Sequence, residues 1–156
     1  MKRLLAALAF VTAVFLAAAP VQAQRVPGAA GLGGQVGDPS GVSFKIYNPN
    51  ALSYDFLAAW DLDDFFFMNV HGLYERPLEL ENTSGLEYFF GPGAFIGFED
   101  RGREDDVVFG ISGRIGVNIP LEDRFEFYVQ FTPRISLVPN TTDSDLGGGL
   151  GVRYYF

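Results

Sequence analysis

The stretch Phe125–Pro139, FEFYVQFTPRISLVP, alternates with a period of two. Its odd positions are Phe125, Phe127, Val129, Phe131, Pro133, Ile135 and Leu137, and its even positions include Glu126, Tyr128, Gln130, Thr132, Arg134 and Ser136. Successive side chains of a β-strand point to opposite faces, so one face of this segment is hydrocarbon and the other is polar.

The same test extends in both directions. Turn-forming clusters at 37–41 (GDPSG), 48–50 (NPN), 61–64 (DLDD), 76–85 (RPLELENTSG), 99–106 (EDRGREDD), 120–124 (PLEDR) and 139–145 (PNTTDSD) divide the chain after residue 24 into eight strand-like runs. A one-residue slip exchanges the faces of a strand, so each register is determined by its own pattern. The apolar faces are Leu32, Gly34, Val36; Val42, Phe44, Ile46; Leu52 to Trp60 and Phe66 to Tyr74 at even positions; Leu86 to Phe98 at even positions; Val107 to Ile119 at odd positions; the Phe125 series; and Leu146 to Phe156 at even positions. None of these positions is charged, in a chain whose composition is 19% charged. The opposite faces carry Lys45, Asp55, His71, Glu75, Glu87, Arg114, Glu126, Arg134 and Arg153.

Residues 1–23 stand apart. Lys2 and Arg3 precede an apolar run from Leu4 to Ala19, and Val21-Gln22-Ala23 fits a small-x-small cleavage site. This is the pattern of a secretory signal peptide cut near Ala23, leaving one domain over 24–156. The formal net charge of the whole chain is −8, which disfavours nucleic acid as a partner. With no cysteine, neither disulfides nor thiol chemistry is available.

Amphipathic strands in an exported chain fit two architectures. A soluble calyx turns its apolar face inward around a lipid or small apolar ligand, whereas a transmembrane barrel turns it outward. The polar face is crowded with Gly91, Gly93, Gly97, Gly110, Ser112, Gly116, Gly147, Gly149 and Gly151. Glycine weakens a solvent-facing strand, but the narrow interior of an eight-stranded barrel needs small residues beside its large ones. The apolar face is also graded. Trp60, Phe66, Phe98 and Phe109 fall toward one set of strand ends; Tyr54, Tyr74, Tyr88, Phe125, Phe127, Tyr154 and Phe156 fall toward the other, as two interfacial aromatic girdles do. The expected fold is therefore an all-β, eight-stranded antiparallel up-and-down transmembrane barrel. Its last strand pairs with its first, because open edges in hydrocarbon leave backbone groups unpaired.

The final strand, with Leu150, Val152, Tyr154 and Phe156 alternating to the end, resembles the assembly signal of bacterial outer-membrane barrels. The whole chain after the leader is similar to the small barrels of OmpA and OmpX type. GDPSGVSFK at 37–45 resembles the G-E-P-T-G-L-S-x-K hairpin of uncharacterised outer-membrane barrel-domain proteins, and Asp55 with Trp60 resembles their D-x-x-x-x-W. The resemblance implies residence in the outer membrane of a Gram-negative-type envelope, contact with lipid and lipopolysaccharide, recognition by the barrel-insertion machinery, and a monomer without cofactor.

Within such a barrel the nine polar-face residues read as an interior ion-pair network that fills the lumen, since buried ions need partners. His71 is the single histidine. Nucleophilic catalysis needs a hydroxyl beside it and an orienting carboxylate. Barrel lipid A deacylases place a serine two residues from their histidine, where this chain has Leu73, so no enzyme site is expected. The acidic turns, with Asp61, Asp63, Asp64, Asp105 and Asp106, offer hard oxygen ligands for divalent cations shared with lipopolysaccharide, though no metal-loop spacing assigns a site.

Overall fold

The structure is a computed structural model that describes residues 25–60, 65–79, 85–100, 105–121, 124–138 and 144–156. The expected signal peptide at residues 1–23 lies outside the described residues, as do Asp61, Asp63 and Asp64. The strands are β1 (Ala30–Asp38), β2 (Gly41–Ile46), β3 (Ser53–Trp60), β4 (Phe65–Pro77), β5 (Glu87–Asp100), β6 (Asp105–Leu121), β7 (Phe125–Val138) and β8 (Ser144–Tyr155). They close into one antiparallel barrel in sequence order. Closure is made by β1 against β8, from Gly31 opposite Tyr155 to Asp38 opposite Gly148. The start of β1 and the end of β8 therefore lie at one rim, called here the terminal rim.

The registers place the two faces as the alternation requires. Along β7 burial switches at every residue from Phe125 to Ile135. Phe131 and Ile115 each expose 57% of their surface on the outside, whereas Lys45, His71, Glu126 and Tyr128 are fully buried inside. The calyx arrangement is thus overturned: the hydrocarbon lies on the outer wall of a closed sheet. A bulge between Phe109 and Gly110 in the β6–β7 pairing sets Phe109 opposite Val138 and Gly110 opposite Ser136. The extra residue puts both Leu137 and Val138 on the outer face, where strict alternation expects Leu137 alone.

Several strands run further than their breaker composition suggests. β1 continues through Gly37 and Asp38, β5 and β6 pair Glu99 with Asp106 and Asp100 with Asp105, and β6 includes Pro120 and Leu121. Ladder hydrogen bonds come from the backbone, so a hairpin continues into water after its outward side chains have turned polar. The connection between β4 and β5 is the long one anticipated at 76–85, and Leu78 N–H donates to the Leu86 carbonyl across it at 2.8 Å.

Outward aromatic residues form neighbours across strands. Phe66 stands opposite both Trp60 and Phe98, and Phe109 lies opposite Ile96. At the terminal rim Phe125 packs edge-on to Tyr154 at 5.1 Å between ring centroids, and Tyr154 to Phe156 at 5.4 Å. Tyr74 packs against Phe90, which stacks on Tyr88. Tyr54 is exposed opposite Gly72, and Phe127 is exposed opposite Ile119.

Candidate functional site

The barrel interior is built by placing a small residue beside each large one. Glu126 and Gly33 flank Arg153 on the neighbouring strands, and Tyr128 and Gln35 flank Gly151. A Cβ added to Gly151 would meet the Tyr128 hydroxyl and the Gly34 carbonyl. These glycines leave the volume that the arginine and tyrosine side chains occupy.

Arg153, on β8, is the centre of the network and is 1% exposed. Its Nη1 donates to Glu126 Oε1 at 2.6 Å, its Nη2 to Asp55 Oδ2, and its Nε to Ser43 Oγ at 2.8 Å. The guanidinium lies 3.9 Å over the Tyr128 ring. Asp55, on β3, takes a second arginine across the lumen: Arg114 Nη1 donates to Asp55 Oδ1, Nη2 to Asn69 Oδ1 at 3.0 Å, and Nε to Thr132 Oγ1 at 3.3 Å. Lys45 stands opposite Asp55 in the ladder, yet its Nζ reaches Glu75 at 2.8 Å and Glu126 Oε2 at 3.1 Å instead. Asn118 donates to Glu75 and the Tyr155 hydroxyl donates to Glu126.

One member of this cluster lies outside every strand. Arg25 enters the terminal rim and pairs with Glu126 at 2.7 Å, Glu75 at 2.9 Å and Glu87 at 2.6 Å. Its guanidinium carbon sits 4.1 Å from the Tyr47 ring centre. Burial works against this charge, but Glu126, Tyr155, Glu87 and Glu75 outweigh it and raise the guanidinium above its ordinary pKa. Burial also pushes the Tyr47 phenol up, against the pull of Arg25. With Arg25 included, Arg25, Lys45, Arg114 and Arg153 balance Asp55, Glu75, Glu87 and Glu126. Arg25→Ala is expected to lower unfolding free energy by about 1–3 kcal/mol, because three buried or half-buried carboxylates lose a charged donor. Urea titration of the barrel in liposomes measures this, and an unchanged midpoint would contradict the assigned contacts.

Two anticipated members stand apart. Arg134 points inward at the far rim, where it pairs with Asp38 at 3.4 Å and with Asp145. His71 makes no ion pair among the described residues. Its Nε2 lies 2.8 Å from Ser112 Oγ, a contact possible because Gly93 stands between them in the register, with no side chain to intervene. Arg25, Asn69 and Asn118 are not marked as candidates by the sequence pattern, and Ser112, Tyr128 and Tyr155 are marked by it only as inward residues without partners. Inward register includes all but Arg25, but only the closed barrel says which inward residues meet.

The described residues include no group of His, Cys, Asp or Glu arranged to hold a metal ion. Asp105 and Asp106 begin β6, and their side chains lie outside the description.

No protein-family model and no curated protein matches the chain. Among solved structures it is similar to the N-terminal β-barrel domain of Pseudomonas aeruginosa OprF, at TM-score 0.59 and 12% identity, over 82% of this chain and 96% of that one. Neisserial surface protein A matches at TM-score 0.44 and 16% identity, over 82% and 94%. The first likeness identifies the fold as that of a small eight-stranded barrel.

Proposed function

We propose that this chain works in the outer membrane as a small transmembrane barrel with a structural or surface-interaction role, its lumen plugged in the terminal half by the ion-pair network, and without catalysis. The observation that carries this reading is the outer wall. Phe44, Met68, Val70, Ile111, Ile115, Val129, Phe131 and Val152 are exposed on a sheet that has no open edge. Monomeric soluble proteins rarely expose apolar patches beyond a few hundred Å², whereas lipid demands such a wall and a closed ladder. Carbonate or high-salt washing of membranes is the test: the protein should stay in the pellet until detergent is added, and its release would overturn the reading.

Outer-membrane lipid and lipopolysaccharide are the partners this wall suits, and closure of the sheet favours a monomer. Leu150, Val152 and Tyr154 on the outer face of β8, with Phe156 directly after it, serve as a signal for the barrel-insertion machinery. Deleting Phe156 should slow assembly in cells while leaving the unfolding midpoint of refolded barrel nearly unchanged; equal losses in both would contradict that role. The acidic rim is proposed to recruit divalent cations, and calcium or magnesium should raise thermal stability in membranes containing lipopolysaccharide.

The His71–Ser112 pair favours a second reading, a lipid-modifying enzyme. Against it, His71 Nδ1 has no hydrogen-bond partner among the described residues, and the adjacent Asp55 is engaged by Arg114 and Arg153. The orienting carboxylate that nucleophilic catalysis needs is therefore committed elsewhere. His71→Ala is expected to leave lipid A composition in whole cells unaltered; an altered lipid A would establish the enzyme.

A further inference from the structure

The far half of the interior differs from the charged half near the termini. Ala59, Phe67 and Phe95 form a buried apolar cluster with Val108 packed against it, and the two phenylalanine rings stack at 5.6 Å. Between this cluster and Arg134 lies a cavity of about 300 Å³, lined also by Ser136, Asp38 and Asp145 and open at the far rim. From Arg134 toward the terminal rim, the inward face of β7 continues through the buried Thr132 to Gln130, which donates to Gln35 at 2.6 Å, and Tyr128. The cavity is thus a cup with an apolar wall and a polar wall.

Its chemistry restricts what fits. Asp38 and Asp145 keep 72% and 63% of their side chains exposed, while the Arg134 side chain that joins them is 8% exposed. Among the described residues, two carboxylates against one guanidinium leave a net negative site, which favours a cationic ligand and disfavours an anion. Arg134 Nε is buried and has no acceptor among the described residues. A buried donor without a partner is costly, so a ligand oxygen placed there is stabilising. The volume is at the lower end for small-molecule pockets, which are mainly apolar with a few placed polar groups.

We propose that this cup is a binding site for a small apolar amino amide: an ammonium group held by Asp38 and Asp145, a carbonyl oxygen accepting from Arg134 Nε, and a hydrocarbon or aryl body against Phe95 and Val108. The carboxylates at the lip attract the cation, and the apolar wall selects the body behind it.

Isothermal titration of the full-length protein in liposomes tests the site with three probes of like shape. Phenylalaninamide should bind saturably. N-Acetylphenylalaninamide, which lacks the charge, should bind at least roughly fivefold more weakly, and the anion phenylpropionate should bind more weakly still. In the Asp38→Asn/Asp145→Asn variant the preference for phenylalaninamide over its acetylated form should disappear. Both substituted side chains are mostly exposed, and heat-modifiable migration in detergent verifies that the variant is folded. Absence of saturable phenylalaninamide binding, phenylpropionate binding equally tightly, or an unchanged preference in the folded double variant would each overturn the assignment.

Discussion

Arg153→Ala is expected to destabilise the folded barrel by about 3–5 kcal/mol, the largest single-residue effect in the interior. The guanidinium is the donor shared by Asp55 and Glu126, on β3 and β7, and it also satisfies Ser43 on β2. Truncation leaves two buried carboxylates short of a counter-charge, and it empties volume against Tyr128. Urea unfolding in liposomes, followed by tryptophan fluorescence from Trp60, measures the loss. The penalty arises mainly from abandoned charge, so adding Glu126→Gln to Arg153→Met, which leaves Asp55 paired with Arg114 and restores the charge balance, should recover much of it. Well-packed neutral replacements for buried ion groups are often close to neutral. If Arg153→Ala cost under about 1 kcal/mol, the typical scale of an exposed ion pair, the buried network would be refuted.

The second large effect concerns the opposite face. Ile115→Arg, near the middle of β6 on the outer wall, is expected to cost about 2–4 kcal/mol in a bilayer, because it places a charge at the hydrocarbon midplane. Leu121→Arg, at the end of the same strand, should cost only about 0–1 kcal/mol, since interfacial depth lets the charge reach water. The contrast tests the membrane reading better than either value alone. On a water-exposed wall both substitutions should fall within about 0.5 kcal/mol of neutral, and that outcome would sink it. Both variants leave the inward residues untouched, so a depth-dependent loss cannot be assigned to the network.

Two devices of the interior were legible only in part. Lys45, Asp55, Glu75, Glu126, Arg114 and Arg153 could all be named as inward from alternation, but alternation says nothing about distance across the lumen. Lys45 is paired in the ladder with Asp55 and yet bonds Glu75 and Glu126, because the two arginines saturate Asp55. Arg25 carries no strand register, so no pattern marked it, although it supplies the charge that balances the terminal end. Ser112 was visible as a small inward residue. Its contact with His71 depended on Gly93 lying between the two strands that carry them. The apolar cup was hidden for a related reason: Phe67 and Phe95 fall on the polar faces of β4 and β5, where a phenylalanine looks like an exception to the pattern.

Sequence by itself determined the eight strands and, except at the Leu137–Val138 bulge, the face each residue shows, because a period of two is a local property and a slip would place charge on the outer wall. It determined closure as well, once the outer face was recognised as hydrocarbon without an edge. Tertiary structure alone decided the pairing inside. When the sheet closes, residues from strands distant in sequence meet across a narrow lumen, and which charge meets which depends on strand stagger and on where a glycine leaves room. That geometry separates the balanced ionic half near the termini from the aromatic cup at the far rim.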